Sequence, residues 1–225
     1  MKTLLSMAVA TVCYALYWEW RFALGLTTLI LVHEIGHMVA AHRYQLRVSA
    51  PVFLPFLGAF INLKEEPPNA WVEAVLGIAG PLFGTMASAV PYFYFVNSGD
   101  PFWAELAYWG FAMNLFNLAP VGSLDGGRIV TAVSTWFWVP GYALLIGFAA
   151  SRWLPGMDVG AFLNANFVVL LMLFAGLPRL FSLFRPRTER EQRYYAIPSG
   201  QRWLMGGLYF GLEGLLFVGM RACRG

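Results

Sequence analysis

The sequence has little charge. Asp, Glu, Lys and Arg make up 12% of its 225 residues, about half of the roughly 25% found in soluble domains. This scarcity excludes an ordinary soluble domain, and a hydrophobic content of 59% in long runs indicates a protein that crosses a membrane. The alternation of membrane β-barrel strands is absent, so helices are the predicted spans. The net charge of +3 is too small to imply nucleic-acid binding, and no nucleic acid is expected as a partner.

Cysteine is scarce as well. The two cysteines, Cys13 and Cys223, lie in or at the end of apolar segments and lack the spacing of a disulfide pair or a C-x-x-C motif. We interpret both as packing residues. The sequence therefore gives no sign of an oxidising compartment.

Apolar runs predict an all-α polytopic membrane protein with about six or seven transmembrane helices. The runs cover about residues 3–17, 22–41, 70–95, 102–118, 129–150, 159–177 and 203–220. The first run resembles a signal peptide, but no small-x-small cleavage site follows it, so we predict a retained span. We expect one integral-membrane domain over residues 1–225, with a core at about 20–130 and extra C-terminal spans at about 130–225.

The segment between the second and third runs is too broken for a spanning helix. It contains Pro51, Pro55 and Gly58 and ends on charges and Pro67-Pro68. Alternating and β-branched residues around Pro55 predict a short re-entrant β-like hairpin. Such backbone is tolerated at membrane depth only against protein or a wet cavity.

The arginines predict the orientation. Residues 179–202 hold six of them, and Arg43, Arg47 and Lys64 flank the hairpin segment, so both stretches are expected at the cytoplasmic side. The connection at residues 97–101 has no Lys or Arg and is expected outside. We therefore expect a multi-pass protein of a bacterial or archaeal cell membrane, with the lipid bilayer as its surroundings.

Three titratable groups lie inside the second apolar run, in the pattern H-E-x-x-H at residues 33–37. On a helix, His33 and His37 are about 40° apart around the axis, so both imidazoles can reach one ion. Glu34 lies at the edge of the same pocket, which is the zinc-protease arrangement of two His ligands and a Glu base. The alternative is a chance match in which the histidines bond to helix partners. Inside a span, that alternative would bury three costly groups without a function.

A catalytic zinc needs a third protein ligand and an open position. His42 lies about 140° further round the helix than His37 and beside Arg43, so we interpret it as a surface histidine. Asp125 lies at the end of a span and is followed by Gly126 and Gly127, which allow a close backbone approach. Its alternative role is the N-cap of a helix near Arg128. Because the H-E-x-x-H pattern still requires a third ligand, we favour the metal role for Asp125.

These motifs resemble those of the site-2 protease family of intramembrane metalloproteases. "HEIGH" is followed by "GIAGPL" and "NLFNLAPVGSLDGG", and the last contains the pattern N-x-x-P-x-x-x-L-D-G. The resemblance covers roughly residues 20–130. It implies a three-helix catalytic core and one zinc per chain, held by His33, His37 and Asp125, with Glu34 activating water.

The resemblance also implies a substrate and residues that bind it. The substrate would be a transmembrane segment of a membrane-anchored protein, cut within the membrane. The loop "PFLGAFI", with Phe56, Gly58 and Phe60, would bind the substrate as an added strand, and Asn117 would hold the substrate or orient the site. Where family members often have prolines, this chain has Val121, Gly122 and Ser123. No segment is long enough for a PDZ or CBS domain.

Two other classes of function stay open. One is a non-catalytic membrane protein that keeps the metal site for structure or binding. The other is an ion-coupled transporter that uses the buried His and Asp as an ion relay. The intact Glu34 argues against the first, and the absence of paired broken helices in the two halves of the sequence argues against the second.

Overall fold

The computed structural model describes residues 2–154 and 157–224, most of which are helical. The helices, in chain order, are α1 (Lys2–Ala15), α2 (Trp20–Arg43), α3 (Ala70–Ser98), α4 (Pro101–Asn117), α5 (Asp125–Val133), α6 (Trp138–Ser151), α7 (Val159–Ala165), α8 (Phe167–Phe181), α9 (Glu189–Tyr195) and α10 (Ser199–Ala222). Short 3-10 turns follow α5 and α8 at Thr135–Phe137 and Ser182–Phe184. Two strands, β1 (Val52–Leu54) and β2 (Gly58–Phe60), lie between α2 and α3.

In the part of the chain that the structure describes, four helical runs are long and apolar enough to cross a membrane: α2, α3, Phe167–Phe184 and α10. The predicted helical membrane fold is thus confirmed in outline, and the chain is an integral membrane protein. The predicted spans at 22–41, 70–95, 102–118 and 203–220 coincide with α2, α3, α4 and α10 to within a few residues. The total of six or seven spans stays a prediction, since α4 has 17 residues and α1 has 14.

The fifth and sixth predicted spans are wrong as single helices. The fifth is broken at Ser134, whose backbone is extended and whose side chain accepts from the Trp136 amide of the 3-10 turn. The sixth is broken at Asn166, which ends α7 and precedes α8 with φ −111° and ψ 8°. Both breaks lie between apolar stretches, so hydropathy alone runs through them.

The predicted hairpin is present. β1 and β2 are antiparallel with Val52 opposite Phe60, Phe53 opposite Ala59, and Leu54 opposite Gly58. In the turn region Phe56 and Gly58 have φ of 63° and 92°, the left-handed region that Gly adopts easily and other residues rarely do.

The helix α1 covers one edge of this hairpin. The Phe53 amide donates to Ser6 Oγ at 3.1 Å, and the Phe56 amide donates to the Tyr14 hydroxyl at 3.2 Å. The Phe53 side chain is buried in a cluster with Tyr14 and with residues of α2. Helix α1 is thus part of the packing that holds the hairpin in place.

The core is built around α3, which packs against α2, α4 and α5. Its glycines allow this close packing, because a residue without a side chain lets a neighbouring helix approach closely. A Cβ on Gly84 would overlap the amide of Asn114 on α4, and a Cβ on Gly77 would lie 3.1 Å from the Asp125 carbonyl oxygen on α5. The largest hydrophobic cluster joins α3, α4 and α5 to α10, and it includes Cys223. Both cysteines are free, as predicted.

Ion pairs join the start of α3 and the connection before it to the end of α8 and to α9. Arg179 donates to the buried carboxylate of Glu73 at 2.6 Å, and the Tyr194 hydroxyl donates to the same carboxylate at 2.7 Å. Arg190 pairs with Glu66. Burial, together with the neighbouring Glu73 charge, raises the pKa of Tyr194 well above its ordinary value, so this phenol keeps its proton. The two arginine-rich stretches therefore lie at the same end of the molecule, as the charge pattern predicted.

Candidate metal centre

Helix α2 carries three of the predicted site residues into the interior. His33, Glu34 and His37 are 3%, 6% and 4% exposed, so water reaches little of them. The two imidazoles share one face of the helix because four residues make slightly more than one turn. Their Nε2 atoms lie 3.0 Å apart.

The third residue comes from the other half of the motif. Asp125 is the first residue of α5, with Leu124 as N-cap, so the alternative role of Asp125 as the N-cap is not realised. Its Oδ2 atom lies 3.1 Å from Nε2 of His33 and 3.3 Å from Nε2 of His37. Groups separated by 92 positions in the chain thus meet at one point.

Two glycines bring Asp125 to this point. A Cβ on Gly126 would overlap the carbonyl of Leu118, and a Cβ on Gly127 would overlap that of Val121. The chain after α4 therefore turns tightly against the first turn of α5. Side chains at either position would push Asp125 away from the histidines.

The remaining ring nitrogens of the histidines have acceptors of their own. Nδ1 of His37 lies 2.7 Å from the Leu76 carbonyl oxygen, and Nδ1 of His33 lies 2.8 Å from Oδ1 of Asn114. A carbonyl oxygen can only accept, so each Nδ1 carries a hydrogen. In a neutral imidazole, the lone pair of each Nε2 would then be directed towards Asp125.

This arrangement fits a metal ion. Two imidazole lone pairs and a carboxylate oxygen converge within 3.3 Å, and they repel one another unless a proton or a cation lies between them. Imidazole nitrogen and carboxylate oxygen are ligands that zinc takes in catalytic sites with three protein ligands. The three residues could therefore hold one ion.

The backbone of α3 forms one wall of the metal group. A Cβ on Gly80 of α3 would overlap the His37 ring and would lie 2.7 Å from Nε2 of His33. Only glycine gives α3 this close approach to the two imidazoles. The small residues of α3 thus serve the site as well as helix packing.

The other titratable groups near the motif differ in position. Glu34 lies within the electrostatic reach of His33, His37, Asp125 and Arg128. Its place beside the metal group fits the predicted base, which stays a prediction. His42 is exposed at the end of α2, in agreement with its interpretation as a surface histidine.

The predicted substrate-binding residues lie outside the metal group. Phe56, Gly58 and Phe60 are in the hairpin, where Phe56 packs edge-on against Tyr14 and Phe60 is 51% exposed. Asn117 is the last residue of α4. Their contacts with a substrate stay predictions.

One residue that the sequence analysis missed is Asn114. It is fully buried and contacts His33 directly, one helical turn before the Asn117 of the motif. A polar side chain within the predicted span at about residues 102–118 is the signal that could have indicated it.

Part of this chain is similar to a known protein family. Residues 21–100 match the model of Peptidase family M50. The resemblance to the site-2 protease family is thus confirmed. The M50 match covers α2, the hairpin and α3, which include the two histidines and the glycine wall. Asp125 lies beyond it.

Matches to curated relatives cover a wider part of this chain. Zinc metalloprotease MJ0392 of Methanocaldococcus jannaschii is 31% identical over 124 residues, which are 53% of this chain and 35% of the relative. Probable zinc metalloprotease EGY1, chloroplastic, of Arabidopsis thaliana is 28% identical over 155 residues, and the match covers 48% of this chain and 28% of the relative. The protein of the same name from Oryza sativa subsp. japonica is 28% identical over 153 residues, and the match covers 47% of this chain and 26% of the relative. This chain therefore matches about a third or less of the length of these relatives.

Proposed function

We propose that the chain is an intramembrane zinc metalloendopeptidase that hydrolyses peptide bonds within or near transmembrane segments of membrane-anchored proteins. The observation that carries this proposal is the convergence of His33, His37 and Asp125 beside the buried Glu34, inside a helix apolar enough to span a membrane. A metal group of this kind with an adjacent acid has little use in a helix that only anchors.

Each residue has a distinct role in the reaction. His33, His37 and Asp125 would hold one zinc per chain, as the three protein ligands of a catalytic zinc. The bound ion supplies a Lewis acid for the scissile carbonyl and lowers the pKa of water. Glu34 accepts the proton of the attacking water and then donates it to the leaving amine.

The group also favours catalysis over the alternatives. Structural zinc sites have four protein ligands, and the group here contains three. The names of the curated relatives are those of zinc metalloproteases. Neither observation favours an ion-coupled transporter or a purely structural site.

We further propose a single domain over residues 1–225 with six or seven spans and its site towards the cytoplasm. At 1.5 Å per residue, the 17 residues of α4 reach about 25 Å, close to the hydrocarbon thickness. The ion pairs that join the two arginine-rich stretches support a common, cytoplasmic side for both. The packing of α10 on α4 and α5 supports one domain.

Substrate binds to the outer edge of β2. In an antiparallel pair, opposed residues alternate between those that bond each other and those that face outwards. The Phe53 amide faces outwards to Ser6, so its partner Ala59 also faces outwards, on the other edge. Because α1 covers the β1 edge, Ala59 offers one N–H and one C=O to an extended substrate, in the manner of strand addition. An unwound substrate in a membrane needs such partners, since each unsatisfied backbone group costs several kcal/mol.

The test compares wild-type protein with Glu34→Gln in detergent. We expect about one zinc per chain in both, and cleavage of a model membrane-anchored substrate by the wild type alone, because Gln keeps the shape of Glu but cannot accept the proton. Cleavage by Glu34→Gln would remove Glu34 from its role as base, and a wild type without zinc would refute the metalloprotease.

A further inference from the structure

The structure points to Asn114 as a positioning residue for the metal centre, a role that rests on the proposed function. We infer that the Asn114 amide fixes the tautomer of His33 and that Gly84 of α3 provides the space in which this amide lies. Asn114 would act through His33, without touching the ion or the substrate.

The orientation of the Asn114 amide follows from its two partners. Its Nδ2 donates to the Gly110 carbonyl oxygen at 2.8 Å, one turn earlier in α4. Since a backbone carbonyl accepts only, the amide cannot be flipped without losing this bond. Oδ1 therefore faces Nδ1 of His33, at 2.8 Å, and this oxygen accepts a hydrogen from it.

The tautomer decides whether His33 can bind a metal. With hydrogen on Nδ1, the lone pair of Nε2 points towards Asp125 and His37. With hydrogen on Nε2, that nitrogen would instead donate to Asp125 Oδ2, which is 3.1 Å away. The Nε2–H tautomer would thus satisfy Asp125 internally and compete with the ion. Asn114 stabilises the tautomer that leaves Nε2 free, because the other would place two acceptors, Nδ1 and Oδ1, against each other.

The two histidines depend on different kinds of partner. His37 donates to the backbone carbonyl of Leu76, which no substitution removes. His33 depends on a side chain. Asn114 is therefore the point at which a substitution can release one ligand while leaving the three ligand residues in place.

The fit of the amide depends on Gly84. A Cβ at this position would overlap Oδ1 of Asn114 and lie 2.6 Å from both its Cγ and Nδ2. Asn114 itself is fully buried, so no water can replace its contact with His33. Helix α3 thus encloses the metal group with Gly80 and encloses its orienting amide with Gly84.

The experiment measures zinc affinity in detergent by competition with a chromophoric chelator. Asn114→Leu has a similar size and no acceptor, and we expect zinc binding to weaken 10- to 100-fold, the range for lost outer partners of metal-bound histidines. Asn114→Asp restores an acceptor and should bind zinc within a few-fold of the wild type. A role limited to packing would not be rescued in this way.

A second buried asparagine gives a matched control. Asn166 is also buried, and its Nδ2 also donates to the carbonyl one turn earlier, that of Phe162. It lies between α7 and α8, away from the metal group. Asn166→Leu should keep wild-type zinc affinity.

Nitrogen-15 NMR of histidine-labelled wild-type protein reads the tautomer directly, and the chain has only three histidines to assign. We expect Nδ1 of His33 to be protonated and Nε2 to shift on addition of zinc. Protonated Nε2 in the metal-free wild type, or wild-type affinity in Asn114→Leu, would overturn the role of Asn114. The NMR result decides even if Asn114→Leu does not fold. A wild type that binds no zinc would overturn the proposed function as well, whereas loss of the Asn114 role alone would leave it standing.

Discussion

Substitution of Gly80 by alanine tests whether the backbone of α3 forms a wall of the metal group. The new methyl group would overlap the His37 ring and lie 2.7 Å from Nε2 of His33, whereas a relaxed contact between such atoms is about 3.5 Å or more. The neighbours would have to move by about an ångström, and overpacking of this kind costs about 1–3 kcal/mol. If this cost falls on the metal-bound arrangement, zinc affinity drops by about 5- to 150-fold, since about 1.4 kcal/mol is a factor of ten.

The assay for this prediction is zinc competition together with thermal unfolding in detergent. We expect Gly80→Ala to lose affinity and to gain less thermal stability from added zinc than the wild type does. Gly207 of α10 provides the control, because its Cβ would meet nothing within 4 Å. Gly207→Ala should keep wild-type zinc affinity and gain up to about 1 kcal/mol of helix stability. Wild-type zinc affinity in Gly80→Ala would refute the close approach of α3.

Further substitutions address the proposed ligands, the hairpin and the ion pair between Arg179 and Glu73. Alanine at any of the three proposed ligands should abolish most of the zinc content, as should a strong chelator. His42→Ala should keep its zinc, and the reverse pattern would contradict the ligand assignment. Ala59→Pro removes the outward N–H of β2 and should slow substrate cleavage with zinc retained, whereas Ala59→Val should cleave normally; undiminished cleavage by the proline variant would exclude strand addition at this edge. Arg179→Met leaves the buried carboxylate of Glu73 without its cation and should lower the free energy of unfolding by about 2 kcal/mol. This loss is smaller than for a fully buried pair because Arg179 is partly exposed. An unchanged denaturation midpoint would show that the pair contributes little.

The local part of the site could be predicted from the sequence. The spacing of His33 and His37 fixes their common face on any helix, and the cost of three titratable groups in a span indicates that they have partners. Asp125 could be proposed because it lies at the end of a predicted span before two glycines, because the H-E-x-x-H pattern requires a third ligand, and because the motif resemblance includes it. What brings the three together is long-range packing, which no local pattern contains.

The orienting amide and the two broken spans could not be predicted by the same reasoning. Asn114 and Asn117 lie on one helix, and the motif points to Asn117. Which of the two faces His33 depends on the rotation of α4 against Gly84. Ser134 and Asn166 break segments that stay apolar on both sides, so the breaks come from local hydrogen bonding and leave no trace in hydropathy.

Because α1 contacts the hairpin, the residues that the family match covers are fewer than the residues that the hairpin needs for its packing. The family match begins at residue 21, after α1, yet Ser6 and Tyr14 of α1 are the partners of two hairpin amides inside the match. A chimera cut at the boundary of the match would leave both amides without these acceptors and would expose a second open strand edge. Such an edge invites pairing between copies. A core that is transferred into another protein therefore has to include α1, or a substitute helix with hydrogen-bond acceptors at the positions of Ser6 and Tyr14.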